Sequence, residues 1–365
     1  MRFLKNIFNK KEEFIPSYVD FWHWFQQNEK QFFKVIKQHT NIEKAFFNKL
    51  SPKLQQLKDG LFFLTGMSDN NTAELIITPD GIVKNIVFVE ELVNAAPTLT
   101  NWKFTALKPA TEIENLSIKM AGYHFDNKHL SFYENSHQDF PDEIDITVVH
   151  QDLTEKNKSE ITTGTFIFLD NLLGELNFAT TIDNLTVVGN EAVANELIPI
   201  EKLKDFLRWR QKEFVEKYDG IRYLTEKDAY ATMEATLPNG KPLIALINTD
   251  LLQWDGKASH PWIVHIEINY DGKNNNGMPD KNTYERLNKI EEQMISELKD
   301  ADGYLNIGRQ TADSAREIYF ACKDFRKPSK VLHKICNAYK HSLEMNYDIY
   351  KDKYWQSFNR FQPQQ

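Results

Sequence analysis

Apolar residues in the first sixty positions recur at the three- and four-residue spacing of a helix. Phe21, Phe25, Phe32 and Ile36 form one stripe, widened by Trp22 and Phe33; Ile42, Phe46, Leu50, Leu54 and Leu57 form a second. Two helices are predicted over 17–58. Ser51-Pro52 interrupts the second, with Ser as N-cap and Pro at the first helical position of a restart. Asp59-Gly60 ends it, and the period then changes. Residues 61–65 and 74–78 read as strands around the turn-rich Ser68-Asp69-Asn70-Asn71. A helical pattern over 82–96 stops at Pro97. Strands are predicted at 102–107, 116–120, 129–133 and 143–150. Residues 165–169 form a short apolar run, Asp170 to Leu176 reads as the opening of a helix, and 182–188 as a closing strand.

The second half has a clearer rhythm. A helix over about 199–218 carries Leu203, Phe206, Leu207, Trp209 and Phe214, and the domain junction is expected at 189–220. Strands follow at 243–248 and 262–270. In the latter Ile263, His265, Glu267 and Asn269 face one way, and Trp262, Val264, Ile266 and Ile268 the other. Asp280 or Asn282 caps a helix with Tyr284, Leu287, Ile290, Met294 and Leu298 inward. Strands at 303–309 and 316–322, a helix over 328–339 and a strand over 342–350 complete the order ββαββαβ. Without its first strand this is the split βαβ, or ferredoxin-like, plan. The expectation is an α+β protein of two domains, each a mainly antiparallel sheet with helices on one face. It comprises a tail (1–16), an N-terminal domain (17–190), a linker helix (191–224) and a ferredoxin-like C-terminal domain (225–365). The length of 365 residues, at about 150 per domain, agrees.

Composition narrows the function classes. Hydrophobic residues make up 41% and aromatic residues 13%, enough apolar surface to exclude disorder for most of the chain. A formal net charge of −8 disfavours nucleic-acid or membrane binding through a general positive field. Cys322 and Cys336 are the only cysteines, so a disulfide scaffold and a four-cysteine zinc site are excluded. No cofactor and no metal are expected. Residues 1–13 lack the apolar core of a secretory signal. With Phe3, Leu4, Ile7 and Phe8 they read either as a basic amphipathic segment touching a membrane or as a frayed or docked terminal helix. No apolar stretch of membrane-spanning length occurs, and a cytoplasmic location is expected.

Gly308-Arg309-Gln310-Thr311, then Arg316 to Asp324, and the tail Asp352-Lys353-Tyr354-Trp355-Gln356-Ser357-Phe358 resemble the bacterial family known as domain of unknown function 695. The resemblance covers roughly 225–360. Where many members have Gly before the Arg-Glu pair, this chain has Ser314-Ala315. In layout alone the family is similar to the bacterial regulator that inhibits ribonuclease E. The first half, with Phe21-Trp22-x-Trp24-Phe25 and Leu169 to Glu175, resembles a domain that often precedes this family. The resemblance implies no reaction.

Candidate chemistry is sparse. His265 and Glu267 share a strand face, with His260 just before, and offer acid–base or metal chemistry unless they are only a solvated or covered polar face. Arg309, Arg316 and Glu317 flank one hairpin, as an anion-binding fork or as cross-strand ion pairs. Asp170 and Glu175 are a carboxylate pair, or a helix cap and a first-turn acid. Trp22, Trp24 and Phe25 offer a stacking surface or core, with Trp24 off the main stripe. Phosphate-loop, dinucleotide, zinc-protease and serine-hydrolase motifs do not occur. The leading expectation is a non-catalytic binding or regulatory module for a basic protein partner, such as a nuclease-type toxin or an RNA-processing enzyme. The alternatives are an enzyme with a site in the inter-domain cleft, built from His265, Glu267 and Arg309, and a small-ligand sensor.

Overall fold

A computed structural model describes residues 16–362. The apolar positions Phe3, Leu4, Ile7 and Phe8 lie outside the described residues. Two compact units divide the chain, one ending at Pro109 and the other beginning at Ala110.

In the first unit, helix α1 (Tyr18–Gln38) starts at Ser17, whose side chain accepts the Asp20 N–H. A π-helical turn, Glu43–Phe47, leads into α2 (Asn48–Leu57). Then come β1 (Phe62–Met67), β2 (Ala73–Thr78), α3 (Val83–Asn94) and β3 (Trp102–Ala106). Strand order is β1-β2-β3, with the first pair antiparallel and the second parallel across α3. The predicted break at Ser51-Pro52 is absent. Leu50 and Leu54 are both fully buried one turn apart, and their packing carries the helix through Pro52. Trp22, Trp24 and Phe25 are all core, and the Trp22 indole N–H donates to the Leu92 carbonyl at 2.6 Å. Trp24 packs against Phe32 at 5.6 Å and offers no outward stacking surface.

The second unit holds two larger sheets. The first is built from the hairpin β4 (Ile118–Met120) and β5 (Tyr123–Phe125), β6 (Leu130–Asn135), β7 (Asp145–His150), α4 (Lys158–Leu173), α5 (Glu175–Thr181), β8 (Asn184–Val188), β9 (Ile198–Pro199) and α6 (Leu203–Tyr218). Its four-stranded sheet runs β8-β7-β6-β9, antiparallel except for β7 against β8. That parallel pair needs a helical crossover, which α4 and α5 provide. The apolar run 165–169 is therefore the middle of α4. Ile161, Thr165, Phe168, Leu169 and Leu172 are buried at helical spacing, so Asp170 closes a helix instead of opening one. Leu203 and Leu207 of α6 belong to the same core as Phe132, Ile146 and Val148. The expected junction at 189–220 thus lies inside the second unit.

The other sheet is built from β10 (Tyr230–Thr236), β11 (Pro242–Asn248), α7 (Thr249–Gln253), β12 (Trp262–Asn269), α8 (Lys281–Glu297), β13 (Tyr304–Ala312), β14 (Ala315–Cys322), α9 (Arg326–Tyr339) and β15 (Glu344–Lys351). Six strands run β10-β11-β13-β14-β12-β15, every neighbour antiparallel. Strand β10 is one more than the sequence pattern predicts. Asp280 caps α8 by accepting the Thr283 N–H.

The two sheets of this unit are joined by a buried ion network. Asp183 accepts Lys351 Nζ at 2.8 Å and Lys353 Nζ at 2.7 Å. Lys353 also donates to the Asp142 carbonyl, and the Asp142 carboxylate accepts both the Tyr218 and Tyr354 hydroxyls at 2.6 Å. Burial drives the Lys351 ammonium down to about 8 against the pull of Asp183.

Candidate functional site

Alternation in the six-stranded sheet sorts the candidate residues onto two faces. On one face, Arg309 and Arg316 meet α8. Arg309 Nη1 lies 2.8 Å from Glu291 Oε2, and Arg316 donates to Asn288 Oδ1 at 2.7 Å and to Thr311 Oγ1 at 3.2 Å. Arg316 is 1% exposed, and its guanidinium lies 5.2 Å from the Tyr284 ring centre. This arginine pair clamps the hairpin to the helix, with Arg316 buried and Arg309 half-buried against Glu291. The predicted cross-strand pairing of these arginines with Glu317 does not form. Neighbouring strand positions point to opposite faces, and Glu317 is on the other one.

That other face gathers His265, Glu267, Glu317 and Tyr319. Cross-strand partners place His265 beside Tyr319 and Asp348, and Glu267 beside Glu317 and Asn346. Glu317 is the hub. It accepts His265 Nε2 and Gln310 Nε2 at 2.8 Å and the Tyr319 hydroxyl at 2.5 Å. Burial alone would raise its pKa, but these three donors outweigh burial and hold the carboxyl down at about 2. Glu317 is therefore a fixed negative charge. Burial and the Glu317 carboxylate push the Tyr319 hydroxyl well above its ordinary range. The imidazole of His265 stacks on the Tyr319 ring at 5.2 Å with 11° between planes. Arg360 donates to the Tyr319 hydroxyl at 2.9 Å.

Part of this face is roofed. Trp355, Phe358 and Phe361 of the closing turn bury Ile263, Tyr319 and Ala321. Beyond the roof the face is open. Asn346, Asp348 and Glu344 of β15 are exposed, and Glu267, Asn269, Gln310 and Glu317 are half-buried. His265 and Glu267 do share this face, but Arg309 lies on the opposite side of the sheet, so the three do not converge on one reacting atom. Among the described residues, no group of three or more His, Cys, Asp or Glu side chains could hold a metal ion.

The remaining candidates are dispersed. Asp170 sits in the last turn of α4, while Glu175, 1% exposed, opens α5 beyond Gly174. A cavity of about 860 Å³ lies nearby, floored by Leu172, Leu173 and Leu207, and neither carboxylate lines it. Cys322 is fully buried, its thiol pushed up by desolvation. His260 is buried away from the open face, with Nδ1 2.8 Å from Ser259 Oγ.

Sequence reasoning missed Gln310, Tyr319 and Arg360. Strand period signals the first two, since Tyr319 is two residues from Glu317 and Gln310 is its cross-strand partner. Nothing local signals Arg360, which reaches the face only because the chain end folds back.

Residues 233–361 match the model of a family described as a family of unknown function, DUF695. The match runs from within β10 to the last buried residue of the roof, so the resemblance carried by the Gly308 and Asp352 motifs holds for the C-terminal part. Comparisons with curated proteins and with solved structures find no match.

Proposed function

We propose that this protein is a non-catalytic binding or regulatory module, and that the open face of the six-stranded sheet receives a basic protein partner. The observation that carries this reading is the charge of that face. Glu267, Glu317, Glu344 and Asp348 lie there with the amides Asn269, Gln310 and Asn346; the strand positions sharing the face include no lysine or arginine, and Arg360 of the closing turn is the cation that reaches it, over Tyr319. Such a surface steers a positive partner into contact and repels nucleic acid. Its one strongly held carboxylate, Glu317, is saturated by donors and unsuited to proton transfer at neutral pH. Within the sheet, β15-β12-β14-β13 has the strand order of a ferredoxin-like core, with β11 and β10 added at one edge. That order supports the ferredoxin-like reading of the C-terminal part.

The test is affinity capture from the source organism with the full chain and with an E344K/D348K double variant, at low and moderate salt. The expected result is a basic protein retained by the wild type, weakened by salt, and lost by at least tenfold in the variant, whose two substitutions are at exposed positions. Equal capture by both chains, or no specific capture by either, overturns the proposal.

A further inference from the structure

His150 ends β7 with its ring wholly buried. Both ring nitrogens are committed. Nδ1 accepts the Asp152 N–H at 3.1 Å, and Nε2 lies 3.0 Å from the His124 carbonyl, which only accepts. These partners fix the neutral tautomer with its proton on Nε2. A second proton has one place to go, Nδ1, and there it displaces the Asp152 N–H.

The contact it would break anchors a junction. Asn157, at the start of α4, donates to the Asp152 carbonyl at 2.9 Å and to the Tyr123 hydroxyl at 3.0 Å, and its side-chain oxygen accepts the Thr154 N–H at 2.7 Å. The Leu153 carbonyl lies against Gly189, where a Cβ would come within 2.4 Å of it. Turn 151–157 thus joins β7, β5, α4 and the end of β8 through these contacts, together with the Leu153 N–H on the His150 carbonyl at 3.1 Å and the packing of the Leu153 side chain on the core.

The groups facing the ring include Asp152 from its own turn and His124, Asp126 and His129 from the β5–β6 connection. His129 stacks on His150 at 6.3 Å and on His124 at 5.7 Å, and its Nδ1 is 2.6 Å from Asp126 Oδ1. On the other side β8 brings Val187 and Val188 alongside Val148 and Val149. We propose that His150 is an acid-operated latch: protonation at Nδ1 breaks its contact with the Asp152 N–H and releases turn 151–157 and the first turn of α4, while the sheet stays folded. Burial is the main cause that lowers the ring below its ordinary value of 6.5. The latch is therefore fully closed above pH 6.5 and weakens as pH falls below it.

Hydrogen exchange on the full chain between pH 7.5 and 5, corrected for intrinsic rates, tests the latch. In the wild type, exchange over 151–160 is expected to rise by up to about tenfold per pH unit once the latch weakens, with β6 and β7 unchanged. In His150→Gln the amide accepts from Asp152 and donates to the His124 carbonyl without titrating, so the same segment is expected to stay flat. A flat wild-type profile, or a variant that follows the wild type, overturns the proposal. Should the variant not fold, NMR titration of the wild-type His150 ring decides. Titration in step with the opening of 151–160 supports the latch, and titration at a different pH or none at all overturns it.

Discussion

At the scale of single residues, burial decides which titratable groups matter. His260 is the sharpest case. Ser259 Oγ donates to the Gly256 carbonyl at 2.6 Å, so it accepts from His260 Nδ1, and Nε2 is left without a partner among the described residues. Burial, with Lys323 and Arg222 nearby, holds the ring at about 4. A lowered histidine pKa means that the neutral form is the folded one. Its stabilisation is complete above pH 6.5 and disappears as pH falls toward 4, a loss of about 3 kcal/mol. Urea denaturation at pH 7, 5.5 and 4.5 should show this loss in the wild type and a shallower one in His260→Phe. Parallel slopes would assign the acid sensitivity elsewhere. The sequence places His260 next to the strand but does not reveal this role, because a histidine reads the same whether its nitrogens are wet or dry. Arg309 and Arg316 show the same blind spot. Their residue type suggested an anion site, and only packing under α8 turns them into a clamp on Glu291.

At the scale of elements, strict alternation and clean helical stripes were readable, and mixtures were not. Strand β12 follows its predicted faces because every second side chain is buried. Helix α4 escaped notice because Phe166 and Ile167 are apolar yet about 40% exposed, which blurs a helical stripe into a continuous run. Strand β10 escaped because its positions are mostly small or polar and exposed, as suits an edge. The family-like Gly308 has a physical basis. It sits at an irregularity of the β13–β14 ladder with φ 138°, and a Cβ there would lie 2.2 Å from the Leu246 carbonyl of the neighbouring strand. Gly308→Ala is expected to cost about 2–3 kcal/mol through overpacking and backbone strain. Thermal denaturation that shifts by less than a degree or two would show that the strand relaxes freely.

At the scale of the whole molecule, the second unit depends on groups distant in sequence. Lys353 meets Asp183 across 170 positions, and Tyr354 meets Asp142 across 212. No local pattern announces such pairs, which is why the joint between the two sheets was invisible in the sequence while each sheet was largely legible. Lys353 is 2% exposed, so removing its charge leaves Asp183 and the Asp142 carbonyl short of a buried donor. Lys353→Met should cost about 3 kcal/mol, and a double-mutant cycle with Asp183→Asn should couple by about 1 kcal/mol or more. Additive losses would mean that the joint rests on Lys351 and the Asp142 cluster instead. The clamp beneath the hairpin and the charged face above it also divide the chain's freedom to diverge. Positions 309, 311 and 316 answer to residues 288 and 291 on α8, so they should change only in concert as lineages separate. Positions 310 and 317 answer to each other and to residues 265 and 319 on the opposite face, so this second set should drift as its own group, independent of the clamp below.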